Sequence, residues 1–297
     1  SATIYKLRFS PNGKQLVSAT SDGLRLWNVA DGRLLKQIGD RSWKACSADF
    51  SPDGSRIVAA GSFDHTARVW DIATGQETCR FRGHADNVVW DAVFCPDGET
   101  VVSCGGNGSL IRWNSRTGGQ LQRFHDHRET VHRLCVSPDG KSLVSSGGEF
   151  SGGSDFDIRI WNLESGTLKK RLHGLNSVAT ELSTSVDASR LLSTSTQEGT
   201  ALWQTSSERI IQRFPSMTVA SAISDDGRRA LIGKDNSVEL YALPDAEKYR
   251  IPRGSIDDGQ PTGSVPEMTS RPTIFPTARA TPRKFAGDQI GQLRDDN

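Results

Sequence analysis

One phrase recurs along this chain. "FSPNGKQLVSATSDGLRLWN" (9–28) returns as "FSPDGSRIVAAGSFDHTARVWD" (50–71), "FCPDGETVVSCGGNGSLIRWN" (94–114) and "VSPDGKSLVSSGGEFSGGSDFDIRIWN" (136–162). Weaker copies follow at 184–204 and 223–242. The aromatic that closes each copy stands at Trp27, Trp70, Trp113, Trp161, Trp203 and Tyr241, spaced 43, 43, 48, 42 and 38 residues apart. A period of this length restricts the chain to repeat architectures, in which each unit leaves an apolar face for its neighbour to cover.

Within a copy the pattern is that of short strands. The apolar run Val89–Phe94 meets a Pro-Asp-Gly turn, where proline presets φ and glycine accepts positive φ cheaply. A second strand is expected at Val101–Cys104, a third at Leu110–Trp113 and a fourth at Leu121–Phe124. Period-2 alternation with turns every 8–12 residues, and no helical periodicity, predicts an all-β protein of four-stranded antiparallel sheets.

Composition narrows the function. Lys plus Arg (36) nearly equals Asp plus Glu (35) over 297 residues, so no global field steers the chain to nucleic acid or an anionic membrane. The five cysteines (46, 79, 95, 104 and 135) show no Cys-x-x-Cys pair and read as reduced thiols, which points to the cytoplasm, with the nucleus as the second compartment. No apolar run approaches the ~18 residues of a membrane span. The chain opens at Ser1 rather than methionine, which suggests upstream sequence.

These residues resemble the WD-repeat β-propeller family, whose repeats carry Gly-His near the start and Trp-Asp at the end of the third strand. The matches are Gly83-His84 and Trp70-Asp71, with Trp-Asn at 27–28, 113–114 and 161–162 as near variants. The resemblance covers residues 4 to about 253. It implies four-stranded blades set radially around a channel, six of them recognisable, with a seventh as the alternative in an intact protein. The six either close by contact alone or leave an edge for that seventh. The last copy is expected to own its outer strand near Lys248–Ile251. Residues 254–297 follow as a tail or linker, since 252–282 hold six of the twelve prolines and few apolar residues to offset ordering entropy.

The resemblance also implies a hydrogen-bonded set of histidine, hydroxyl, aspartate and tryptophan in each blade. Carried over by position, the fourth copy has His127, Ser145, Asp155 and Trp161, and the third has His84, Ser103, Asn107 and Trp113, with Asn in place of Asp. The second keeps Asp64 and Trp70, with Ala60 where the hydroxyl belongs. The first (Ser18, Asp22, Trp27) and fifth (Ser193, Trp203) have shorter turns, and the last retains Asp235 with Tyr241 for Trp. Buried polar networks stabilise when fully satisfied, so blades three and four are expected to be the most rigid.

Catalytic signatures fail on inspection. Gly140-Lys141-Ser142 resembles the end of a phosphate loop, but Cys135 stands where the first glycine belongs and a strand, not a helix, follows. His125 and His127 alternate along a strand and diverge, which disfavours a metal site. No catalytic residue, metal or cofactor is assigned.

The remaining function is binding. In the resembled family, loops of one face contact partners, and positions near the start of the first strand map to Tyr5, Cys46, Trp90, His132, Thr180 and Val219. Phe63 projects nearby, and aromatic side chains dominate interface energetics. The lengthened fourth copy adds a glycine-hinged loop bearing Glu149 and Phe150. The candidate partner-binding set is therefore Tyr5, Phe63, Trp90, His132, Glu149 and Phe150. The expected protein is a non-catalytic scaffold, monomeric within a larger complex, taking a protein or peptide partner and neither nucleic acid nor membrane. Two alternatives are a regulatory propeller C-terminal to a signalling enzyme such as a kinase, and an enzyme with a site at the channel mouth.

Overall fold

The repeats translate into sheets one for one. A computed structural model describes residues 2–40, 43–61, 64–84, 87–150, 153–195, 197–214, 218–234 and 237–244. The first sheet comprises β1 (Ile4–Phe9), β2 (Gln15–Thr20), β3 (Gly23–Asn28) and β4 (Leu34–Ile38). The second has β5 (Ala45–Phe50), β6 (Arg56–Gly61), β7 (Ala67–Asp71) and β8 (Glu77–Phe81). The third has β9 (Val89–Phe94), β10 (Thr100–Gly105), β11 (Leu110–Asn114) and β12 (Gln120–Arg123). The fourth has β13 (Val131–Val136), β14 (Ser142–Gly147), β15 (Ile158–Asn162) and β16 (Leu168–Leu172). The fifth has β17 (Glu181–Thr184), β18 (Arg190–Ser195), β19 (Gly199–Gln204) and β20 (Arg209–Arg213). The sixth has β21 (Thr218–Ile223), β22 (Arg229–Lys234) and β23 (Ser237–Ala242), and no helix occurs among the described residues. All pairings are antiparallel meanders. The outer strand expected near 248–251, Asp235 and the 254–297 segment lie outside the described residues.

The turn between the first two strands of each sheet explains why the "SPDG" phrase repeats. Ser51 Oγ donates to Asp53 Oδ1 at 2.5 Å and accepts the Arg56 N–H at 2.9 Å, closing the turn before β6. Gly54 sits at φ 72°, the left-handed region that glycine enters without Cβ strain. Bonds from Ser51 and Ser55 hold the Asp53 carboxyl down at about 2. Serines 10, 137, 185 and 224 repeat the arrangement.

Five interfaces join successive sheets, and each is built alike. One sheet presents small and branched side chains, and the next inserts its inner strand and its marker aromatic, a tryptophan in the first four interfaces and the partly buried Tyr241 in the fifth. Trp70, Ala48 and Phe50 thus cover Val17, Ala19, Leu24, Leu26 and Ile38. Trp113, Ala92 and Phe94 cover Val58, Ala60, Ala67, Val69 and Phe81. Trp70, Trp113, Trp161 and Trp203 are all buried, each worth on the order of 2–3 kcal/mol of apolar burial. The two end faces have no such cover: Phe9 is 64% and Val238 66% exposed, Leu7, Leu231 and Leu240 are exposed, and Trp27 is half-buried. Among the described residues the first and sixth sheets therefore do not cover each other's apolar faces.

Candidate partner-binding site

The third and fourth sheets carry the fullest polar networks. His84 Nε2 lies 2.7 Å from Ser103 Oγ, to which Trp113 Nε1 donates at 3.0 Å. The fourth position belongs to Ser109, whose Oγ is 2.9 Å from His84 Nδ1. The expected Asn107 is displaced because Asn107 and Gly108 both take positive φ in a tight hairpin turn, which aims Asn107 Nδ2 at Asn87 Oδ1 (3.0 Å).

In the fourth sheet His127 Nε2 is 2.7 Å from Ser145 Oγ, and Trp161 Nε1 donates to that oxygen at 2.9 Å. Asp155 reaches the histidine only through Arg159, a residue the sequence reading missed. Arg159 pairs with Asp155 at 2.9 Å and Asp126 at 2.5 Å, and its Nη1 faces His127 Nδ1 at 3.1 Å. Because a guanidinium can only donate, Nδ1 accepts and Nε2 carries the ring proton. Burial, and then the neighbouring Arg159, push His127 down to about 3; burial and Arg123 push His84 down to about 4. Both rings are neutral structural members, not acid–base groups.

Elsewhere the set is partial. Trp27 Nε1 donates to Ser18 Oγ at 3.0 Å and Trp203 Nε1 to Ser193 Oγ at 2.9 Å. In the second sheet the register pairs Trp70 with Ile57, so Ala59, not Ala60, stands in the hydroxyl's place. A one-residue slip moves a side chain to the other face, and Ala60 faces the third sheet instead. Trp43 fills the site, its ring 5.0 Å from Trp70, with the Arg68 guanidinium 4.8 Å above it. An aromatic just ahead of the inner strand was the available signal.

Three predicted binding residues come together on the rim. Trp90 and His132 stand at equivalent positions, the second residue of β9 and of β13, with ring centroids 5.2 Å apart. Phe150 also packs against His132, at 4.8 Å, while 62% exposed, so the three rings run from half-buried Trp90 through buried His132 to open Phe150. His132 Nε2 donates to the Gly148 carbonyl at 2.9 Å, and burial lowers its pKa, so the middle ring is neutral. Glu149 accepts from Thr130 Oγ1 at 2.7 Å, anchoring the loop, and that bond lowers its pKa. Gly148 lies at φ 123°, and a Cβ there would stand 2.6 Å from the Phe156 ring, so the hinge requires glycine. Tyr5 occupies the equivalent position of β1, exposed and outside the row. Phe63 lies outside the described residues, as does the side chain of Val219.

One step inward, the strands lining the axis carry charge in pairs. Lys6 Nζ from β1 reaches both carboxylate oxygens of Asp91 in β9, at 2.7 and 2.9 Å, passing over the second sheet. Asp91 also accepts the Leu134 N–H of the fourth sheet at 3.1 Å. Burial raises the Asp91 pKa, but Lys6 and Arg133 outweigh it and hold the carboxyl low. Asp49 accepts the Phe94 N–H at 3.0 Å, and burial raises its pKa against the pull of Arg8. No group of three metal-binding side chains occurs among the described residues. The axial charges are thus engaged in joining sheets.

Comparison with known proteins agrees with this geometry. Residues 1–28, 32–71, 75–114 and 118–162 match the family described as WD domain, G-beta repeat. The chain is 25% identical over 240 residues to the U3 small nucleolar RNA-associated protein 15 homolog of Xenopus tropicalis, covering 80% of this chain and 45% of that protein. It is 28% identical over 147 residues to autophagy-related protein 16 of Arabidopsis thaliana (48% and 28%). It is 28% identical over 159 residues to the periodic tryptophan protein 2 homolog of Schizosaccharomyces pombe (46% and 18%). The chain spans less than half the length of these relatives.

Proposed function

Since the chain belongs to the WD-repeat family, and its sheets hold their polar groups in structural networks, we propose that it is a non-catalytic scaffold that binds a protein segment across the Trp90–His132–Phe150 row. The row carries the reading. Trp90 and Phe150, both packed on the buried His132 ring and held by a strand pair and a glycine-hinged loop, offer aromatic contact area at little entropy cost, which is how interface hot spots are built. The neutral His132 adds no desolvation penalty for charge. We assign this role to residues 1–253 and read 254–297, on composition, as a linker.

The relatives favour the nuclear side of the compartment expectation. One is named for association with the U3 small nucleolar RNA, so the setting we infer is a nuclear complex that contains RNA. Near-neutral charge gives the chain no field of its own toward nucleic acid, and the contact we propose is with a protein of that complex.

The test is affinity capture from native lysate by the intact protein and by Trp90→Ala/Phe150→Ala, with RNase-treated and untreated arms. The expected result is loss of specific partners from the variant at unchanged melting temperature, with capture by the parent surviving RNase. Undiminished capture by the variant would displace the site, and loss only on RNase treatment would make RNA the ligand.

A further inference from the structure

The loops beside the aromatic row carry charge unevenly. At that end of the fourth and fifth sheets, residues 124–130, 148–157, 173–180 and 196–198 hold the carboxylates Asp126, Glu129, Glu149, Asp155, Asp157 and Glu198 against a single arginine, Arg128, and no lysine. Arg159 and Arg171 reach up from β15 and β16 and neutralise Asp126 and Asp155. The corresponding stretches of the third sheet, 82–88 and 106–109, balance one arginine with one aspartate. The excess therefore lies on the Phe150 side of the row.

The three glutamates are held by neutral donors. Glu149 accepts the Thr130 N–H and Oγ–H at 3.3 and 2.7 Å, and Glu129 accepts the Ser154 and Asp155 N–H groups at 3.0 and 3.2 Å. Glu198 accepts from the Asn176 backbone and side-chain nitrogens at 3.1 and 2.8 Å. Such bonds fix a carboxylate in place without cancelling its charge, so the sector keeps a negative field. Glu149 brings that field to the rings. Its charge acts on the His132 ring against which Trp90 and Phe150 pack. Among the described residues both of its bonds fall on Oε1, so Oε2 is open to an incoming donor. Glu129 stands behind it: a Cβ on Gly153 would meet the Glu149 backbone at 2.4 Å and Glu129 Oε2 at 2.8 Å, so the loop folds the two together.

We propose that the segment bound on the row is cationic: a bulky apolar side chain covers Trp90 and Phe150, and a neighbouring lysine or arginine donates to Glu149. This rests on the row being the binding site and names the chemistry of what binds there. The exposed ring of Phe150 favours a cation for a second reason, since an aromatic face carries the negative end of its quadrupole. A nucleic-acid strand or a phosphopeptide would bring negative charge into the same field.

A phage-displayed library of random dodecapeptides, selected on the intact 297-residue protein, supplies the probes. Enriched peptides are synthesised with a fluorescent label and titrated by anisotropy against the parent, Trp90→Ala/Phe150→Ala and Glu149→Gln. Exposed Glu164→Gln, at the opposite end of the fourth sheet, is the control. Glutamine keeps an acceptor for Thr130 and removes only the charge, and equal melting temperatures check that the loop is undisturbed. Enriched peptides are expected to carry Lys or Arg close to Phe, Trp, Leu or Met. Binding should weaken about tenfold or more in the double variant and about threefold to fivefold in Glu149→Gln, the latter loss shrinking at high salt, with Glu164→Gln unchanged. Peptides lost on the double variant but indifferent to Glu149→Gln, or enriched in Asp and Glu, overturn the cationic partner and leave the row standing. Peptides held equally by the double variant overturn the row itself, and a selection that enriches nothing overturns both.

Discussion

Two buried histidines make stability depend on pH in a stated direction. His84 and His127 are neutral in the fold, with pKa values pushed down to about 4 and about 3, while the unfolded chain protonates near 6.5. Between those values the unfolded state binds more protons, so stability is complete above about pH 6.5 and is lost as pH falls. Urea unfolding is expected to show a loss on the order of 2 kcal/mol per histidine from pH 7 to pH 5, and His84→Gln should remove its share of that slope. The Lys6–Asp91 pair makes a different case. Both side chains are buried, so Asp91→Leu alone leaves an ammonium without its partner and is expected to cost about 3–5 kcal/mol in urea. Adding Lys6→Met should recover much of that, because the stranded charge is then gone; a double variant no better than the single would place the cost in the Leu134 amide bond instead.

Strands are where sequence and structure agree most closely, because the repeat fixes both turn chemistry and alternation. The inner strand expected at Val89–Phe94 is β9, and Ser10, Ser51 and Ser137 close their turns alike. The networks were legible only where repeat position dictates contact. Ser103 and Ser145 meet their histidines because each serine sits on the regular second strand of its sheet, and His84 and His127 lie in the connection just ahead of the inner strand of the same sheet. Ser109 and Arg159 were missed because a tight turn and a long side chain decide them, and neither follows from the spacing of the repeat. Trp43 belongs to the same class: it replaces a histidine and a hydroxyl with ring contact, and its effect resides in packing. Trp43→Ala is expected to cost about 3–5 kcal/mol in urea, since it uncovers Trp70 and frees Arg68. A loss below 1 kcal/mol would mean that Arg68 collapses into the space.

At the scale of the molecule, cooperativity follows nearest-neighbour packing, as in other repeat proteins. Internal sheets are covered on both faces and the end sheets on one. Native-state hydrogen exchange is therefore expected to release the amides of β22 and β23 and of β3 and β4 before those of β10, β11, β14 and β15. Uniform protection across all six sheets would show that the ends are covered in solution. Sequence left closure undecided between contact and a further blade, because an end face reads like any other apolar face until its exposure is known.

Under tension the two ends are not equivalent. Pulled from its C-terminal side, the described strands of the sixth sheet detach by breaking their packing on the fifth. Pulled from the N-terminal side, the first sheet is additionally riveted to the third by Lys6, across the sheet between them. Load on this arc is carried asymmetrically, so it unzips from its C-terminal end, and the strand nearest the N-terminus is the last to let go.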